Sequence, residues 1–278
     1  MLFCRGREGR LSGKFPIFAV QKTQKDMIQL LKKTKDVILF YRFLRFRKGF
    51  GVHSPFAFNL ITNVIDERCA YYAYDRIEIV RRQLLQMGAP LGTTGMSIGR
   101  ATARYGIRKS HGQLLFRLAN YFKPKQIVQV GTGMGLSTLY LTGYSAHVQC
   151  ISLEEDPARA EWARWCLERM GKRHVRVERG DYESLLPKAL AQFETVDFLF
   201  FNAPERATEL YGMFEKCVGH IQPDTVLVVE GLRASRAMRD FWERVKAHPA
   251  TVLTFDLYHL GLVFFNKKMY RKDYIVYF

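Results

Sequence analysis

The chain has 278 residues, 48% hydrophobic and 14% aromatic, with a formal charge of +17. That apolar share is enough for a sizeable core and excludes wholesale disorder, while the length lies between one large domain and two small ones. The charge is uneven: the first fifty residues hold 13 Lys/Arg against 3 Asp/Glu, which is +10 of the +17, so a basic arm or cap precedes a mildly basic body.

Cys4, Cys69, Cys150, Cys166 and Cys217 show neither C-x-x-C spacing nor interleaved histidines. This disfavours a disulfide framework and a structural zinc site and fits a reducing compartment. The early apolar run from Phe15 to Val20 is shorter than a signal h-region, and no run approaches the roughly 18 apolar residues of a membrane span. The expected location is cytoplasmic.

Residues 1–26 carry Gly and Arg punctuation without a sustained period and read as a flexible basic tail, or as translation from an upstream start, since Met27 opens the first regular segment. From Met27 to Phe46 apolar residues recur at helical spacing with Lys and Arg filling the gaps. Two readings of residues 27–48 stay open: a helix packed on the rest of the chain with a solvated basic face, or a peripheral contact with anionic lipid or nucleic acid. Ser54-Pro55 reads as N-cap and first-turn proline of a helix through Val64. Further helical patterns span Ile77–Met87 and Gly112–Phe122, with Ala89–Ser97 as loop between them. Residues 27–124 therefore form a helical cap, and residues 125–278 an α/β domain.

That domain opens on an apolar run, Ile127, Val128 and Val130, which ends in Gly131, Gly133 and Gly135. A short helical pattern and a second apolar run, Val148 to Leu153, follow and stop on Glu154 and Glu155. Strand, glycine turn, helix, strand and acid make the layout of a nucleotide-binding βαβ unit, in which the glycines admit a ligand close to backbone N–H groups. Alternation then continues through helix Pro157–Met170, strand Val175–Val177 ending at Gly180-Asp181, helix Ser184–Phe193 and strand Val196–Phe201 ending at Asn202. Helix Ala207–Ile221, strand Thr225–Val229 ending at Glu230-Gly231 and helix Ser235–Ala247 come next. Strands Thr251–Leu257 and Leu260–Phe265 have a link too short for a crossover and must be antiparallel. The segment Tyr274–Phe278 is an expected edge addition. Continuous apolar strands between helices predict a doubly wound, mostly parallel seven-stranded sheet with a reversed last strand.

The G-x-G-x-G spacing differs from a dinucleotide G-x-G-x-x-G, because Leu136 stands where the third glycine belongs. Together with Glu154, Gly180-Asp181 and the reversed strand, it resembles the first motif of class I S-adenosylmethionine-dependent methyltransferases, whose sheet is Rossmann-like, and within them the small O-methyltransferases. The stretches Gly49–Phe58, Tyr71–Leu85 and His248–Phe265 resemble an uncharacterised bacterial branch of that class. The resemblance implies S-adenosylmethionine as cofactor, with Gly131, Gly133 and Gly135 beneath its methionine and ribose parts. It also implies Glu154 on the ribose hydroxyls, and Asp181 and Tyr182 beside the adenine. The family usually has an acid where this chain has Gln129, which would meet the cofactor's methionine end without the charge-assisted share of about 1–2 kcal/mol.

Metal-dependent members of the class carry carboxylates at the ends of strands four and five. Asn202 and Glu230-Gly231 make a poor site for a hard divalent cation, so no metal is expected. Methyl transfer needs alignment and deprotonation of a weak nucleophile. Asn202, Glu230, His259 and Tyr258 are the candidates around a small-molecule acceptor, with Glu230 or His259 as base. Two alternatives remain. A nucleic-acid methyltransferase would carry [DN]-P-P-[YFW] where this chain has Asn202-Ala203-Pro204-Glu205. A catalytically degenerate binding or scaffold protein would also lack the acids at 129 and 202.

Overall fold

The computed structural model describes residues 46–93, 95–276 and 278. The expected tail and, up to residue 45, the expected basic helix lie outside the described residues. Ser54 caps helix α1 (Pro55–Leu60) by accepting the Ala57 N–H, and Pro55 opens its first turn. The helix runs on into a π turn, Ile61–Ile65. There the Val64 and Ile65 carbonyls accept hydrogen bonds from the buried Arg117 guanidinium, at 2.6 and 3.1 Å. Helix α2 (Tyr72–Gln86) begins five residues before the predicted Ile77. Tyr74 draws that first turn inward, burying its ring against Tyr71, Phe116 and Tyr140.

Helix α3 (Ile98–Tyr105) has no counterpart among the predicted elements. Its sequence, IGRATARY, has strong helix formers in Arg100, Ala101, Ala103 and Arg104, but eight residues are too few to hold a helix alone, and tertiary contact supplies the order. A Cβ on Gly99 would stand 2.4 Å from the Leu85 carbonyl oxygen, so only glycine lets α3 close on α2. Helix α4 (Lys109–Phe122) leads into strand β1 (Gln126–Val130). The α/β alternation follows as α5 (Leu136–Leu141), β2 (Gln149–Glu154), α6 (Pro157–Arg169), β3 (Val175–Arg179), α7 (Tyr182–Leu190) and β4 (Val196–Phe201). It ends with α8 (Leu210–Val218), β5 (Ile221–Glu230), α9 (Arg236–Ala247), β6 (Leu253–Asp256), β7 (Leu260–Phe264) and β8 (Lys272–Ile275).

The predicted helix Ala207–Ile221 is shorter than expected because Ile221 pairs with Val196, starting β5 four residues before Thr225 across a register shift. The sheet order is β3-β2-β1-β4-β5-β7-β6-β8. It is parallel except for β7, which is antiparallel to both β5 and β6. The sheet has eight strands rather than seven, because an edge strand pairs in parallel with β6, starting at Lys272, two residues before the expected Tyr274, and ending at Ile275.

Residues alternate across both faces. Ile127, Phe198, Phe200 and Val226 pack against α2, α4 and α5, in one core with Ile77, Leu114, Leu118 and Leu139. Val128, Val130, Leu199 and Phe201 face α7, α8 and α9, with Leu186, Phe214 and Trp242. Helices α2 and α4 thus cover a sheet face that would otherwise be apolar and wet. Among the described residues no helix is long and apolar enough to cross a membrane.

Candidate active site

Strand order reverses between β1 and β4, and a cleft of about 270 Å³ opens at the carboxyl ends of the strands there. Its floor is the turn after β1, where Gly131 and Gly133 both have positive φ. A Cβ on Gly131 would lie 2.1 Å from the Asn202 carbonyl oxygen, and one on Gly133 would lie 2.5 Å from that of Tyr105. Glycine is therefore required there by the neighbouring backbone itself. Gly135 caps α5 and packs against Ala163 of α6 rather than lining the cleft. Gln129 is fully buried beneath the turn. Its amide nitrogen donates to the Gly131 carbonyl at 2.8 Å and to Ser137 Oγ at 2.9 Å, and its oxygen accepts from Thr138 Oγ1 at 3.0 Å.

Glu154, at the end of β2, is 1% exposed and already engaged. Its Oε2 accepts the Gly133 N–H at 2.7 Å, which ties the acid to the glycine turn. Its Oε1 accepts the Asp156 N–H and two N–H groups of Arg159, at 2.9 and 2.6 Å. Burial pushes the Glu154 carboxyl above its ordinary range, against the opposing pull of Arg159 and the two backbone N–H groups. The Arg159 guanidinium also stacks over Tyr105, 4.3 Å from the ring centroid. The segment Ala103–Arg108 covers the cleft from the helical side.

Asp181 caps α7 through the Ser184 N–H at 2.9 Å, so its carboxylate serves the helix. Tyr182 is fully buried, and among the described residues its hydroxyl has no hydrogen-bond partner. Burial, with the nearby Glu154, Glu205 and Glu155 carboxylates, raises that hydroxyl well above its usual range. Asn202 lines the cleft, and its amide reaches the Gly131 carbonyl at 3.4 Å. Glu205, in the 3-10 turn Pro204–Arg206, also lines it, placing a carboxylate where a base-stacking aromatic would stand.

Glu230 ends β5 on the cleft wall. Both of its oxygens lie within reach of Nδ1 of His111, at 2.8 and 3.1 Å. His259 sits between β6 and β7, and its carbonyl accepts the Gly231 and Leu232 N–H groups. Its ring lies 5.7 Å from that of His111. Burial lowers its pKa, with Arg108, His111 and Arg233 adding to the effect. Arg233 pairs in bidentate fashion with Asp256 and lies over Tyr258. Among the described residues no group of three or more His, Cys, Asp or Glu side chains could hold a metal ion.

No family model matches the chain, and no curated protein sequence does. Solved structures match it in three dimensions. The O-methyltransferase from Bacillus cereus, in complex with SAH, is 20% identical, over 74% of this chain and 96% of its own, with a TM-score of 0.53. The SAH-bound Podospora anserina methyltransferase PaMTH1 is 14% identical over 78% of this chain and 97% of its own, with a TM-score of 0.57. The O-methyltransferase TomG from Streptomyces achromogenes, in complex with SAM, is 17% identical over 71% and 91%, with a TM-score of 0.52. The fold is that of the class I methyltransferases.

Within this methyltransferase fold the cleft gathers Gly131, Gly133, Glu154, Asn202 and Glu230 from four strand ends. It leaves Gln129 beneath the floor, Gly135 against α6, Asp181 and Tyr182 at the end of β3, and His259 behind Glu230. Sequence reasoning missed His111 and Arg159. Arg159 had a faint signal, since Asp156-Pro157 starts a helix whose first turn must rise beside Glu154. His111 had none, because its partner is 119 positions away.

Proposed function

We propose that the protein is an S-adenosylmethionine-dependent methyltransferase acting on a hydroxyl of a small-molecule acceptor without a metal ion. The observation that carries this reading is the cleft at the strand-order reversal, floored by a positive-φ glycine turn and walled by Glu154 and Glu230. Glu154 would hold the ribose hydroxyls, Gly131, Gly133 and Gly135 would shape the floor, and Asp181 and Tyr182 would border the base. Gln129 would act from below, by fixing the turn. The cofactor would supply an electrophilic methyl group.

The chain's own contribution is orientation and proton removal. Asn202 and Glu230 flank the place where an acceptor oxygen would sit, with Glu230 as base and His259 behind it. The metal-free reading rests on donor chemistry: the ends of β4 and β5 offer one amide, Asn202, and one carboxylate already bonded to His111, which suit a hard cation poorly. Space is the constraint on the cofactor. At about 270 Å³ the cleft is just below the usual size of small-molecule sites, and Arg159 already holds one Glu154 oxygen, so a ribose would share the carboxylate through Oε2 or displace the guanidinium. That engagement of Glu154 also favours the second reading, a binding or scaffold protein on a methyltransferase fold. Calorimetric titration with S-adenosylhomocysteine separates the two. Micromolar binding, weakened at least tenfold by Glu154→Gln, is the expected result, and no heat at millimolar ligand would leave the scaffold.

A further inference from the structure

The partner of Glu230 comes from outside the strands that build the cleft. His111 lies in the first turn of α4, is 5% exposed, and presents Nδ1 to both carboxylate oxygens. An ionised carboxylate only accepts, so Nδ1 carries the proton and donates. The ring is held from behind. A Cβ on the adjacent Gly112 would stand 2.4 Å from the Tyr140 ring, so α4 closes tightly on α5, and Leu114, Leu115 and Leu118 are buried in the same helix. Arg108, on the cleft wall, and Arg233, committed to Asp256, also lie near this corner, as does the His259 ring, while Arg104 and Glu205 are further along the cleft lining.

We propose that His111 is a positioning residue for methyl transfer, a role that rests on the methyltransferase reading above. Its Nδ1–H fixes the Glu230 carboxylate on the cleft wall and keeps it from turning to Arg108. The acceptor's O–H proton passes to Glu230 as the oxygen takes the methyl group, while the electron pair of the broken C–S bond stays on sulfur. The proton then leaves to solvent through the cleft mouth. A fixed acid–base group of this kind contributes on the order of 10²–10⁴-fold in rate. The helical region thus supplies part of the catalytic apparatus.

The test compares wild type, His111→Phe, His111→Asn and Glu230→Gln in the full chain. His111→Phe keeps the ring and removes the donor, whereas the Asn amide nitrogen reproduces a donor near the Nδ1 position. Binding of S-adenosylhomocysteine is measured by calorimetry, and methyl transfer from tritiated S-adenosylmethionine to catechol and phenol is measured as kcat and KM. The expected result is cofactor affinity within threefold across all four proteins. His111→Phe then loses about 100-fold in kcat with KM for the cofactor unchanged, Glu230→Gln loses as much, and His111→Asn recovers to within about tenfold of wild type. Unchanged kcat in His111→Phe overturns the role of His111 and leaves the methyltransferase reading intact. Equal losses in the Phe and Asn variants overturn it too, because the donor would then not be what matters. Cofactor binding by wild type without transfer to either probe counts against Glu230 as a hydroxyl-directed base and overturns the proposal. No cofactor binding at all removes the underlying reading.

Discussion

Gln129 spends its hydrogen-bonding capacity inside the protein, and this explains the amide better than any ligand does. Gly131 offers a carbonyl oxygen, which can only accept, so the group facing it must be a donor. A carboxylate at this fully buried position would set oxygen against oxygen and bury a charge. Gln129→Glu should therefore lower stability by about 3 kcal/mol, read as a lower urea midpoint with unchanged slope. A midpoint equal to wild type would mean that the amide does not hold the turn. Gln129 is thus an anchor of the glycine turn. Glu154 shows the same economy: the residue expected to meet a ribose already meets Gly133 and Arg159.

At the scale of elements, the corner between β5 and the β6–β7 turn concentrates the site's titratable groups. The His259 carbonyl anchors Gly231 and Leu232, and its ring is half-buried near Arg108, His111 and Arg233. Burial and these groups depress its folded-state pKa below the ordinary histidine value of 6.5, so the unfolded chain binds the proton more readily. The stabilisation is present above pH 6.5 and is lost as pH falls through the lower folded value. Wild type should therefore lose stability on acidification below pH 6.5, and His259→Asn should lose less over that interval, measured by urea unfolding at stepped pH. Parallel pH profiles would show that the imidazole is not the group responsible. The α3–α4 segment matters equally, because Tyr105 and Arg108 bring the helical region onto the glycine turn.

For the whole molecule, the helices before β1 complete one face of the sheet and are not an optional cap. Ile127, Phe198, Phe200, Val226 and Val228 share a core with α2 and α4. A fragment of residues 125–278 would expose that face to water, at roughly 25 cal/mol per Å² of apolar area. It should give a far-UV spectrum without cooperative thermal unfolding, whereas a sharp transition would make the α/β unit self-sufficient. The sequence by itself determined the strand and helix alternation, the glycine turn and the reversed β7, because these depend on local period and on a link too short to cross over. It also placed Gly131, Glu154, Asn202 and Glu230 at strand ends, since the chain must turn where apolar runs stop. Only the tertiary structure decided what those residues touch. His111 on Glu230 and the closure of α3 over the turn are packing outcomes between distant segments, fixed by which backbones can approach, and one-dimensional spacing carries no record of them, whereas Arg159 on Glu154 is a local contact, five positions apart, of which the Asp156-Pro157 helix start gives only a faint sign.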